Sequence, residues 1–357
     1  MTSTSTPLPF KTLAATIVVG LLFAPALQAQ SSLNIELTEW RVPISMDSDG
    51  TLFDTYPGEG RTMTRPRDPA LDSQGNVWFC GQGGNYIGRL VPSTGEFKRY
   101  ALPERTHPHN LVIDSEDQIW YAGNRNGHIG RLDPATGEIQ QFPIENDKMD
   151  PHTLVLANGG KTLWFTAQHA NYVGRLDTST GDYELVQTPY PRARPYGIML
   201  DSKEQPWIAL FGTNRIATVD PATMKMRTYA IPDERARPRR LAVTSDDRVW
   251  YVDYARGFLG RLDPTTEEFT EWAAPGESQA IPYAMTVDDQ DRLWFVESPS
   301  NRSHLVGFDA KTERFIAREA IASGGLTARY MVHHPSSDTL WFGTDANTMV
   351  RASLPGR

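Results

Sequence analysis

Two histidines, each directly after a proline, are the side chains of this chain best suited to move protons: His109, in the run His107-Pro108-His109, and His152, in Asp150-Pro151-His152. Imidazole titrates near neutral pH, so a histidine beside a substrate can act as a general base, and Asp150 is grouped with the two as a catalytic candidate. The competing reading of each is a structural histidine satisfied by its surroundings. The same Pro-flanking positions recur along the chain as Arg65 and Arg67, Arg194 and Tyr196, Arg237 and Arg239, Ile281 and Tyr283, and Thr327 and Arg329 around Ala328. With the histidines, this makes six arginines and three histidines among fourteen positions, in a chain of net charge −8. A concave site lined this way focuses a positive field, and guanidinium suits carboxylate, sulfate or phosphate. Arg67, His107, Arg194, Tyr196, Arg237, Arg239, Tyr283 and Arg329 are therefore the expected contacts for an anionic or polar small molecule. Alternatively, the arginines pair with Asp150, Asp253, Glu297 and Asp345 and rivet the fold. Asp253 and Glu297 fall at one phase in adjacent copies, where they could share a divalent cation through oxygen ligands or neutralise Arg239 and Arg237.

These positions belong to a repeat. Trp78, Trp120, Trp164, Trp207, Trp250, Trp294 and Trp341 follow one another at spacings of 42, 44, 43, 43, 44 and 47 residues. After the tryptophan comes an apolar-Gly-Arg-Leu run in four copies, carrying Arg89, Arg131, Arg175 and Arg261, and then an Asp-Pro-x-Thr-Gly-Glu turn such as residues 133–138. A period of roughly 40–50 residues filled with short strands and turns is the signature of a propeller blade. The fold expected is all-β: a seven-bladed propeller of four-stranded blades, with the tryptophans packed between blades and the Gly-Arg-Leu arginines tethering one blade to the next. Because the first two strands of a blade run antiparallel, the start of each first strand and the end of each second strand share one mouth of the ring. Function is expected there, where the copies differ.

Residues 36–43 (ELTEWRVP) read like residues 268–275 (EFTEWAAP), the last strand of the fifth copy, whereas the seventh copy lacks a last strand. The N-terminal strand is thus expected to complete the C-terminal blade, removing two open sheet edges. Residues 1–29 read as a secretory leader with Lys11 and an apolar core, and 30–357 as one propeller domain with a long connection at 44–64. The mature protein is expected outside the cytoplasm, periplasmic or extracellular, as a monomer with no membrane span. Cys80 is the only cysteine, so no intramolecular disulfide is available. The acidic net charge argues against a nucleic-acid partner. Serine-elbow, phosphate-loop, zinc and dinucleotide motifs are all missing from the sequence.

The combination of Pro-His/Tyr-x-Ile/Leu, Trp-Phe/Tyr and Ile-Gly-Arg-Leu-Asp-Pro-x-Thr-Gly-Glu, repeated seven times, resembles the virginiamycin B lyase (streptogramin lyase) family over nearly the whole chain after the leader. The resemblance implies a seven-bladed propeller. It also implies a lyase that linearises a cyclic depsipeptide by elimination, with a histidine base and a magnesium ion held near glutamates. The family's working positions, in the last two blades, are held here by Tyr283, Ser298, Thr327, Arg329 and Thr344, none of which matches. His109 in the second blade followed by Asp150-Pro151-His152 in the third imitates part of the family's pattern, with Asn124 and Ala167 where its tryptophan and second glutamate would stand, so a lyase site relocated to these blades is one reading. A non-catalytic ligand-binding or scaffolding propeller is the alternative, and a metal-dependent lactonase-like hydrolase using Asp253 and Glu297 a weaker one.

Overall fold

A computed structural model describes residues 33–44, 64–144, 149–299 and 302–355. These residues form seven four-stranded antiparallel sheets, joined in ring order, with three single-turn 3-10 helices as the only helical pieces among them. The expected leader, residues 1–29, and all but the ends of the 44–64 connection lie outside the described residues. Each sheet runs outward in chain order, for example Pro108–Ile113, Ile119–Gly123, His128–Leu132 and Ile139–Pro143.

The seventh sheet is the exception, and it closes the ring as the sequence predicts. Strand Glu36–Arg41 pairs antiparallel with Thr348–Ser353, in the register Glu36 to Ser353 and Trp40 to Met349. Beyond the strand, Val42 N–H donates to the Asn347 carbonyl at 3.0 Å and Asn347 Nδ2 to the Val42 carbonyl at 2.8 Å. Trp40 stacks on Trp341 with ring centroids 5.3 Å apart.

Apolar side chains gather into seven clusters, and each spans the interface between two neighbouring blades, the seventh joining the last blade to the first. One repeated tryptophan sits in each cluster, at 3 % exposure or less. Burying a side chain of that size is worth on the order of 5 kcal/mol before entropy is counted, so period-43 tryptophans are what make a ring of blades cohere. The indole N–H is anchored by an aspartate six residues earlier: Asp72, Asp114, Asp201 and Asp288 accept from Trp78, Trp120, Trp207 and Trp294 at 2.8–3.0 Å. The same carboxylates accept backbone N–H groups of the connecting turn, as Asp72 does from Gln74 and Asn76.

The expected arginine tethers form at two of the four positions. Arg175 donates to the Pro221 carbonyl at 2.6 Å and Arg261 to Glu313 at 2.7 Å, both in the next blade. Arg131, however, donates to Gln140 of its own blade. What Arg89, Arg131, Arg175 and Arg261 share is a position 5.4–5.9 Å from the ring of their own blade's tryptophan. Guanidinium stacks well on indole faces, so the common role is to lid the tryptophan.

Candidate functional site

The inner strands of adjacent blades touch one another all round the ring. In all seven, the pairing register with the second strand slips near the start of the strand, just after the first residue in six blades and after the second, Arg67, in the first blade. A bulge puts two successive residues on one side of the strand, so the two positions after the proline both contribute to the centre of the mouth. The residue before the proline is left-handed in four blades, at Arg65, His107, Arg194 and Ile281, a conformation that costs non-glycine residues energy and is retained where the surroundings dictate it.

Arg240, in the fifth blade, crosses the middle of the ring. Its Nε donates to the Arg329 carbonyl at 2.8 Å, Nη1 to Thr153 Oγ1 at 2.9 Å and Nη2 to Asp68 at 3.3 Å, so one side chain at 2 % exposure binds blades seven, three and one. Asp68 is wholly buried. It also accepts from Arg67 Nε at 3.2 Å and from Asn110 Nδ2 at 2.9 Å. Gly197 occupies the position equivalent to Arg240 in the neighbouring fourth blade. A Cβ there would lie 2.7 Å from the Arg239 carbonyl and 3.1 Å from Arg240 Cα, so only glycine lets the two inner strands approach closely enough to set Arg240 in place.

Around this plug the predicted mouth residues assemble. Arg67 Nη1 donates to Gln82 Oε1 at 2.9 Å and lies 3.2 Å from His109 Nε2. Gln82 continues to His107 Nδ1 at 3.4 Å. The His109 and His152 rings pack in a tilted arrangement, with centroids 3.7 Å apart and planes 41° from parallel, and His152 lies 4.0 Å from the Tyr196 ring. The hydroxyls of Tyr196 and Tyr283 are hydrogen-bonded to each other. Arg239 is boxed by four aromatic rings, Tyr283 at 3.9 Å, Tyr254 at 4.2 Å, Phe211 at 4.4 Å and Tyr196 at 5.0 Å. Arg329 forms a two-pronged ion pair with Asp345, Nη2 to Oδ2 at 2.6 Å. The mouth therefore holds four guanidinium groups, of Arg67, Arg239, Arg240 and Arg329, against the carboxylates of Asp68 and Asp345.

That imbalance governs titration. Burial, followed by the charges of Arg67 and Arg240 and the neighbouring His152, holds His109 well below the ordinary histidine value. Burial and then Arg240, Arg67 and Arg239 do the same to His152. His107 is lowered to about 4 by burial, with Arg125, Arg67 and Arg65 adding to it. All three are neutral at pH 7.

Other expected members stand apart. Arg237 turns its guanidinium onto the carbonyls of Glu234 and Ala236, at 2.8 and 2.6 Å. Arg194 is exposed, its backbone N–H donating to Asn171. The Asp150 carboxylate accepts the backbone N–H groups of His169 and Ala170 at 2.9–3.0 Å and lies 2.8 Å from His169 Nδ1, so it caps a turn of its own blade. Asp253 accepts from the backbone N–H of Arg237, Ala255 and Arg256 and from Arg256 Nε at 2.5 Å. Glu297 accepts from Gly276 N–H at 2.7 Å and Arg318 Nε at 3.1 Å. Both are fully buried among protein donors and paired with their own arginines. Among the described residues no three His, Cys, Asp or Glu side chains cluster so as to hold a metal. A magnesium ion does not fit this donor set, since it would have to displace a guanidinium from each acid together with three backbone amides from Asp253 and one from Glu297.

Asp68, Asn110, Thr153 and Arg240 lie outside the set that the proline-flanking positions define. Their signal is a second polar residue in succession after the proline, ahead of a mostly apolar remainder of the strand.

The sequence matches the model of the virginiamycin B lyase family over residues 60–161 and 124–352. No curated protein matches it. Among solved structures, selenomethionine-substituted virginiamycin B lyase from Staphylococcus aureus superposes with a TM-score of 0.76 at 22 % identity, over 90 % of this chain and 100 % of that one. A streptogramin B lyase gives 0.77 at 21 %, over 91 % and 100 %. The extracellular domain of a hybrid two-component system protein from B. thetaiotaomicron gives 0.64 at 16 %, over 81 % of this chain and 40 % of that one. On the family match, which spans most of its length, this seven-bladed propeller belongs to the virginiamycin B lyase family.

Proposed function

We propose that the protein is an exported lyase that opens an ester-bearing small molecule by proton abstraction, with the mouth holding the carboxylate released. The observation that carries this reading is a convergence of buried polar atoms without a hydrogen-bond partner: Arg67 Nη2, Arg239 Nε, His109 Nδ1 and His152 Nε2. Leaving one such atom unmade costs about 1–3 kcal/mol, and four around a cationic mouth are suited to an anion that completes them. Elimination across the alkyl C–O bond of an ester creates such an anion, and preorganised guanidinium groups stabilise it as its charge develops. Neutral His109 and His152 serve as hydrogen-bonding partners of the ligand. As bases they are weak, because the imidazolium that a proton would create faces three guanidinium groups. The composition of residues 1–29 supports export.

The test is chromatography with mass detection, incubating the purified protein with cyclic depsipeptides and simple cyclic esters. Elimination gives a product of unchanged mass and altered retention, whereas hydrolysis adds one water and would contradict the reading. The second reading, a non-catalytic binder, is favoured by Tyr283, Ser298, Thr327, Arg329 and Thr344 at the family's working positions. It predicts tight retention of an anion with no product.

A further inference from the structure

The field that disables the histidines as bases favours a phenolate. Tyr196, from the fourth blade, is 3 % exposed and Tyr283, from the sixth, 2 %, yet their hydroxyls meet across the mouth. Arg239 lies over both rings, and Arg240 sits 5.1 Å from the first and 6.0 Å from the second. His152 packs on the Tyr196 ring at 4.0 Å. Two phenols buried side by side among guanidinium groups, with no carboxylate among the described residues bonded to either, form an arrangement in which one proton can be shared and the other given up.

We propose that Tyr196, with Tyr283 as its hydrogen-bond donor, is the proton acceptor of this mouth. The role rests on the elimination reading above. A donor and nearby positive charge stabilise an ionised phenol, while burial resists it. Burial acts to raise Tyr196, but Arg239, Arg240, Arg67 and the hydrogen bond from Tyr283 together pull it below the ordinary phenol value. Tyr283 moves the opposite way, through burial and the charge on Tyr196, as expected when two coupled groups lose protons in succession. The charged groups facing the pair are Arg67, Arg239 and Arg240, together with Arg329 and its partner Asp345, and Asp68 shared by Arg67 and Arg240. The other rings packed against the pair are those of His152, Tyr254 and Phe211. In the step itself, the Cα–H proton passes to the Tyr196 oxygen and the electron pair left on carbon becomes the Cα=Cβ bond. The Cβ–O bond breaks and the ester oxygen leaves as a carboxylate. One negative charge is consumed and one is released.

The experiment is a pH titration of tyrosinate ultraviolet absorbance on the full chain without ligand. Of thirteen tyrosines, one equivalent is expected to ionise at least about one pH unit before the free-phenol range near 10. Tyr196→Phe should abolish it, and Tyr283→Phe and Arg239→Gln should each shift it upward. An early equivalent that is missing from the wild type, or that survives in Tyr196→Phe, overturns the assignment. If Tyr196→Phe does not fold, Arg239→Gln decides, since an unshifted early equivalent there is equally fatal. An early tyrosinate without ester turnover would defeat the elimination reading and not the phenolate; turnover without early tyrosinate would do the reverse.

Discussion

Asp253 and Glu297 show how a single residue's partners decide its role. Each is a buried carboxylate with a guanidinium and backbone amides already bonded to it, and removing one side of a buried pair typically costs 3–5 kcal/mol. Asp253→Ala should therefore lower the unfolding free energy by about 3 kcal/mol in urea denaturation, and the loss should be the same with magnesium and with chelator. A magnesium-dependent difference would restore the shared-cation reading. His128 allows a pH prediction. Burial lowers it from 6.5 to about 4, so below pH 6.5 the unfolded chain takes up a proton that the folded one refuses, and stability falls with falling pH. Between pH 7 and pH 4 this one group should remove roughly 3 kcal/mol. A His128→Phe variant should lose correspondingly less over that window, and an unchanged pH slope would contradict the shift. The proline-flanking histidines, arginines and tyrosines of the mouth were legible in the sequence because the repeat fixes their phase. Their partners were not, because a carboxylate's engagement with Arg256 or Arg318 depends on loop geometry that no spacing encodes.

The inner strand carries the site, and its bulge explains what the sequence concealed. Strict alternation predicts that Arg239 faces the mouth and Arg240 does not, whereas the slipped register after Pro238 brings both to the centre. The polar residue at the second position after the proline, as in Asp68, Asn110, Thr153 and Arg240, was the available clue. Two variants test this element. Arg240→Met removes a side chain that bonds three other blades and leaves Asp68 with fewer donors, so a loss of about 3 kcal/mol is expected. Gly197→Ala places a methyl group against the Arg239 carbonyl and should lower Tm and weaken anion binding together. A Gly197→Ala protein with unchanged Tm and affinity would show that the close approach does not set the site.

At the scale of the whole molecule, the ring is closed by the strand at its N-terminal side, and stability should respond as a closed structure's does. Trp40→Ala removes the stack on Trp341 at a partly buried position, which should cost about 2 kcal/mol, less than the 3–5 of a full core deletion. Deleting residues 33–44 bares the sheet edge of strand Thr348–Ser353 and should convert a single cooperative transition into aggregation or stepwise unfolding. The seven-blade count and the closing strand were readable from the tryptophan period and from the likeness of residues 36–43 to 268–275. The ring's axis was not, because the Arg240 plug joins positions 172 residues apart in sequence. Anion binding at the cationic mouth of this acidic protein is the proposal on which its function rests. It is tested most directly by thermal shift with citrate, sulfate and phosphate at constant ionic strength, comparing wild type with Arg239→Gln. At least one anion should raise the wild-type Tm in a saturable way and the variant should lose most of the effect, since a charge-assisted hydrogen bond is worth about 1.5–3 kcal/mol. Equal shifts in both proteins, or none in either, would contradict it.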